Sequence, residues 1–161
     1  MIKLPKTVKV VITDFDGIVT DNCVYIDEDG KMSRKINFRD VMGFSLLYKN
    51  GYKTVIISGE KNKAIDILAE KFEIENYQDI RKKLEIVEKV VAEHGLSDEE
   101  WVYIGDDVND YDSLCRAKYA VTVPNAVKRI KEIPNIQITE TQSGDGAFRE
   151  VADALILGQK S

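Results

Sequence analysis

Cysteine, histidine, tryptophan and proline are all scarce in this sequence, with two, one, one and three copies among 161 residues. Cys23 and Cys115 stand far apart and outside any CxxC pair. That excludes a disulfide framework or a thiolate zinc centre and leaves two reduced thiols. The single histidine, His94, precedes Gly95 at a helix end and reads as structural. Positive charge is also short. The formal net charge is −5 and the pI is near 5.0, so no nucleic-acid partner is expected. No apolar run approaches the length of a membrane span, and the opening MIKLPKTVKV lacks the apolar core of a secretion signal. The expectation is a cytoplasmic protein without a membrane partner.

What remains is an ordinary globular balance, 43% hydrophobic and 32% charged. Without repeats, low-complexity tracts or linkers, residues 1–161 read as a single domain. β-Branched apolar runs at 8–12, 53–57, 101–104, 119–123 and 136–139, with a short one at 76–78, suit strands buried on both faces. Helical patterns fall between them at 41–49, 62–72, 82–94, about 125–132 and around 148–156. This alternation predicts an α/β, doubly wound (Rossmann-like), mostly parallel sheet with helices on both faces. One segment breaks the pattern. Residues 24–38, VYIDEDGKMSRKINF, turn at Asp29-Gly30 and read as a β-hairpin flap standing off the sheet.

Acidic residues gather where three predicted strands end. The first ends in Thr13-Asp14-Phe15-Asp16-Gly17, the second in Ser58-Gly59-Glu60 and the fourth in Gly105-Asp106-Asp107-Val108-Asn109-Asp110. In a parallel sheet these ends share one edge, where ligands bind. Carboxylates converging there are costly unless a hard cation joins them, and oxygen ligands suit Mg²⁺. Ser58 offers a hydroxyl with neighbouring backbone N–H groups, and Lys83 opens a helix facing the same edge. Mg²⁺, a hydroxyl and an ammonium around one carboxylate are the equipment of phosphoryl transfer.

DFDGIVTD, the ISG at 57–59, Lys83 and GDDVND at 105–110 resemble, in order and spacing, the four motifs of the haloacid dehalogenase superfamily. The ending SGDGAFREVAD, within a tail over about 143–161, is similar to that of the capless 3-deoxy-manno-octulosonate (Kdo) 8-phosphate phosphatases and their relatives acting on nine-carbon sugar acid phosphates. The resemblance implies a fold without a large cap domain and a homotetramer in which flap and tail help close a neighbour's site. It implies a phosphatase of surface-glycan biosynthesis that hydrolyses a small acidic sugar phosphate. Asp14 would be the nucleophile and Asp16 the general acid and base. Asp14, Asp106 and the backbone carbonyl of Asp16 would hold Mg²⁺, while Ser58, Gly59 and Lys83 would grip the phosphoryl oxygens. Asp107 and Asp110 would support metal-bound water or orient Lys83.

Two positions depart from the family pattern: Asn22 and Ser143 each replace a glycine. Glu60 with Lys71, eleven positions on, resembles the nine-carbon group and points to a substrate or tail contact; the alternative is two surface residues of a helix. Arg149 stands where a carboxylate-binding tail residue would be. Lys31, Arg34, Lys35 and Arg39 make the flap basic, either to meet an anionic substrate or to keep an exposed hairpin soluble. Two other functional classes fit parts of the pattern: a receiver-type phosphoacceptor switch, and a non-catalytic oligomerisation module.

Overall fold

The structure, a computed structural model, describes residues 1–158. In chain order the elements are β1 (Val10–Thr13), β2 (Tyr25–Ile26), β3 (Met32–Ser33), α1 (Phe38–Lys49), β4 (Lys53–Ile57), α2 (Lys63–Phe72) and β5 (Glu75–Tyr77). Then follow α3 (Lys83–Glu93), β6 (Trp101–Ile104), a 3-10 turn at Val108–Asp110, α4 (Tyr111–Arg116), β7 (Tyr119–Thr122), α5 (Lys128–Lys131), β8 (Gln137–Ile138) and α6 (Ala147–Leu157).

Six strands form one sheet in the order β5-β4-β1-β6-β7-β8, every adjacent pair parallel. The doubly wound sheet expected from the alternation is the one observed. β1 and β6 are buried at every residue, as a central strand between two helix layers requires. β1 lies between β4 and β6, so the chain reverses its direction of winding there. The crevice at the carboxyl ends of β1 and β6 is therefore the place where such a sheet binds ligands. α1 packs on α2 and α6, with Phe44 stacked on Phe148 at a ring separation of 4.1 Å, and α3 packs on α4. Among the described residues, the segment between β1 and α1 holds only the two-stranded antiparallel hairpin β2–β3.

The structure corrects some boundaries. α1 begins at Phe38, earlier than residue 41, because Asn37 caps it by accepting a hydrogen bond from Arg39 N at 2.8 Å. The 3-10 turn and α4 escape a periodicity reading because they are too short to display an apolar stripe. The helix expected over 125–132 shrinks to α5. Residues 159–161 of the expected tail lie outside the described residues.

Candidate active site

Asp14 follows β1 directly, and its N–H is held by Ile104 O of β6 at 2.9 Å. Asp106 follows β6 by two residues. Adjacent strand ends thus bring together two aspartates separated by most of the chain. Asp110 joins them from the 3-10 turn, and the carboxylates of Asp14, Asp106 and Asp110 offer oxygens all within 4.8 Å of one another. The three residues are buried. Gly17 makes the approach possible. It has φ +87°, and a Cβ there would lie 2.1 Å from Asp106 Oδ2.

Lys83 enters from the first turn of α3 with a side chain wholly removed from solvent, and Nζ lies 2.9 Å from Asp14 Oδ1 and 2.9 Å from Asp110 Oδ1. Its neighbour Lys82 remains 78% exposed, so sequence adjacency hides opposite environments. Tyr103, a buried β6 residue that sequence reasoning passed over, donates to Asp110 Oδ1 at 2.7 Å. Asp110 Oδ2 accepts the backbone N–H of Asp106 at 3.1 Å and of Asp107 at 3.4 Å. Both oxygens of Asp110 are therefore engaged. Asp107 caps the 3-10 turn instead, accepting from Val108 N at 2.6 Å.

The electrostatics follow from burial. Burial pushes the Asp14 carboxyl well above the usual carboxylate range, Asp110 and Asp106 add to this, and Lys83 opposes it. Asp106 is pushed up to about 7, first by burial and then by Asp110 and Asp107. Burial would lower the Lys83 ammonium, yet Asp14 and Asp110 outweigh it and hold its pKa above the usual value. Three carboxylates share one ammonium in a buried place, so the cluster has more acid groups than Lys83 can neutralise; burial and this excess drive the Asp14 and Asp106 carboxyls up. An all-oxygen donor set with that excess of acid groups fits a hard divalent cation.

A cleft of about 250 Å³ opens over this cluster, lined in part by Asp14, Asp16, Ser58, Gly59, Glu60 and Asp106. Ser58 is buried; its Oγ donates to Glu60 O at 2.8 Å and accepts from Glu60 N at 3.2 Å. It does not cap α2, a role taken by Asn62. The carboxylate of Asp16 stands outside the three-aspartate cluster, with Oδ1 accepting from Thr20 Oγ1 at 3.1 Å. Asn22 also lines the cleft and holds φ +64°, the left-handed conformation that explains why glycine suits this position and why asparagine substitutes for it.

Two further expected residues are not brought to the cleft of their own chain. Lys71 sits in the last turn of α2 with its ammonium 5.4 Å from the Phe72 ring, and no ion pair joins it to Glu60 among the described residues. The reason is geometric: a helix that follows a parallel strand runs back toward the opposite sheet edge, so its last turn points away from the strand ends. Arg149 Nε pairs with Asp153 at 2.8 Å inside α6. What does reach the site region is the turn before α6. Gly144 N donates to Ile18 O at 3.2 Å, and Ser143 and Asn125 exchange two hydrogen bonds at 2.8 and 3.1 Å.

Comparison with known proteins agrees with this geometry. The family profile of haloacid dehalogenase-like hydrolases matches residues 78–151. A probable YrbI-family phosphatase of Pseudomonas syringae is 34% identical, with a TM-score of 0.89 over 96% of this chain and 88% of its own. The chain belongs to the haloacid dehalogenase-like hydrolases. Within them this hydrolase is similar to Kdo 8-phosphate phosphatases. The Yersinia pestis enzyme is 28% identical over 99% of this chain and 85% of its own length. The Moraxella catarrhalis enzyme, solved with a magnesium ion, a phosphate ion and Kdo, is 26% identical with a TM-score of 0.89, covering 96% of this chain and 89% of its own.

Proposed function

We propose that this hydrolase is a Mg²⁺-dependent phosphatase of small acidic sugar phosphates that works through an aspartyl-phosphate on Asp14. The observation that carries the reading is the buried cluster of Asp14, Asp106 and Asp110, with the Lys83 ammonium 2.9 Å from the first and the third, at the open polar cleft at the switch point of the sheet. With both oxygens of Asp110 engaged, the carboxylates of Asp14 and Asp106 and the backbone carbonyl of Asp16 would hold Mg²⁺. The ion would supply charge neutralisation for an anionic phosphoryl group.

The chain's own residues divide the remaining work. Asp14 attacks phosphorus through one carboxylate oxygen; Lys83 Nζ at 2.9 Å and Phe15 N at 2.6 Å hold its Oδ1 and fix the side chain's orientation. As the bond from phosphorus to the sugar oxygen breaks, Asp16 gives that oxygen a proton, and it then takes one from the water that hydrolyses the acyl phosphate. Ser58 and the N–H groups around Gly59 receive phosphoryl oxygens at the cleft wall, while Lys83 adds positive charge behind them. Asp110, seated by Tyr103 and two backbone N–H groups, orients Lys83; Asp107 supports the loop beside it.

The substrate class is an ulosonate or nonulosonate phosphate, such as Kdo 8-phosphate or a nine-carbon sugar acid 9-phosphate, made in the cytosol for surface glycans. Similarity to the Yersinia and Moraxella enzymes supports the eight-carbon sugar, and Glu60 at the cleft supports the nine-carbon one. The small cleft is open to solvent, and the hairpin exposes Tyr25, Ile26 and Met32, which supports assembly into a homotetramer that closes it. The test is phosphate release from both sugars by purified protein with and without Mg²⁺. Turnover that disappears with chelation and falls at least on the order of 10³-fold in Asp14→Asn is expected; full turnover in that variant would refute the assigned nucleophile.

A further inference from the structure

We propose that Arg34, just beyond the return strand of the hairpin flap, positions Asp16 for proton transfer. This rests on the phosphatase reading and adds to it a residue outside the four motifs. Most of the hairpin is exposed, yet the Arg34 side chain turns inward and keeps only 14% of its surface accessible. Its Nε lies 3.0 Å from Asp16 Oδ1. The N–H is not aligned for a hydrogen bond, so the contact is an ion pair held by charge and packing.

Thr20 Oγ1 donates to the same oxygen at 3.1 Å. Thr20 also pairs with Ile36 through an antiparallel bridge, and its hydroxyl accepts from Gly17 N at 3.3 Å. The base of the flap is thus seated on the loop that carries Asp16. Both contacts fall on Oδ1, and among the described residues nothing engages Oδ2. Asp16 lines the cleft, and Arg34 is not among the residues that do. One oxygen is anchored and the other is left to face the sugar oxygen. A general acid works only within hydrogen-bond reach of the atom it protonates, which makes this orientation a condition of the first half-reaction. The adjacent Lys35 takes a separate task, with Nζ 3.6 Å from Asp21 and 3.7 Å from Asp145 of the tail turn.

Positioning an acid has a signature that binding phosphate lacks. Breaking the bond to a sugar alkoxide needs a proton; breaking the bond to p-nitrophenolate scarcely does. The ratio kcat/KM covers the steps through leaving-group departure. The experiment measures kcat/KM of the full chain with Mg²⁺ on a sugar phosphate and on p-nitrophenyl phosphate. In Arg34→Ala the sugar-to-aryl ratio should fall about tenfold, Arg34→Lys should recover most of it, and Thr20→Val should lower it in the same sense. Because the ratio is internal to each variant, a smaller folded fraction does not move it. Equal losses on both substrates, or an unchanged ratio, would overturn the proposal while leaving the phosphatase reading intact. A wild-type protein inactive on both substrates would overturn the two together.

Discussion

Lys83 concentrates the energetics of the site in one side chain. An ammonium wholly removed from water is tolerated because two carboxylates lie 2.9 Å away, and each carboxylate is tolerated because of the ammonium. Such a group contributes little net stability when complete and costs heavily when broken. Lys83→Met, close in volume but uncharged, leaves Asp14 and Asp110 facing each other without their cation. Unfolding by urea should register a loss of about 3 kcal/mol or more, and turnover on a sugar phosphate should fall on the order of 10²-fold or more. An unchanged denaturation midpoint would mean that the carboxylates are neutralised some other way. In sequence, Lys83 is one of three successive basic residues and reads as part of a solvated face. The four-motif order singles it out, but its burial comes only from the packing of α3.

At the scale of elements, Asp40 ties the last helix to the first. It lies in the first turn of α1, fully buried, and its two oxygens accept Gly146 N and Arg149 N, each at 3.1 Å. It therefore caps α6 from another helix, a device invisible to a rule that looks for caps just upstream. Burial is the main reason its pKa rises from 3.8 to about 6, partly offset by hydrogen bonds from Arg149, Gly146 and Phe148. The folded state accordingly holds this proton more tightly than the unfolded chain. The contribution of Asp40 is most favourable below its unfolded value and declines as pH climbs through about 6. The stability difference between wild type and Asp40→Asn should shift by about 3 kcal/mol from pH 3.5 to pH 7, against the wild type at the higher pH. Chemical denaturation of both proteins across that range checks it; parallel curves would contradict the account.

For the molecule as a whole, the informative surface is apolar. Val24, Tyr25, Ile26 and Met32 of the hairpin are exposed, and Phe38 at the start of α1 is 89% exposed. Isolated exposed hydrophobics are ordinary, but a run of them beside a flap with two-residue strands is the surface that the proposed tetramer would cover. Light scattering should report a tetramer, and a Phe38→Glu, Ile26→Glu double variant should report smaller species and a higher KM for a sugar phosphate. A wild-type monomer with full activity would remove the tetramer from the mechanism.

Local chemistry alone determined much of this protein. Buried β-branched runs demanded a parallel sheet, and parallel strand ends in aspartates demanded one acidic edge, because strand direction fixes where those residues emerge. Lys71 and Arg149 lie away from the cleft of their own chain for the same kind of reason: α2 runs toward the opposite sheet edge and carries Lys71 with it, and Arg149 pairs with Asp153 within α6. Only the tertiary structure decided which carboxylates meet, that Asp110 is fully engaged, that Tyr103 supports it and that Arg34 turns in toward Asp16. Periodicity reports which face of an element avoids water. It carries no information about which atoms, far apart in the chain, come within hydrogen-bond reach when those faces pack.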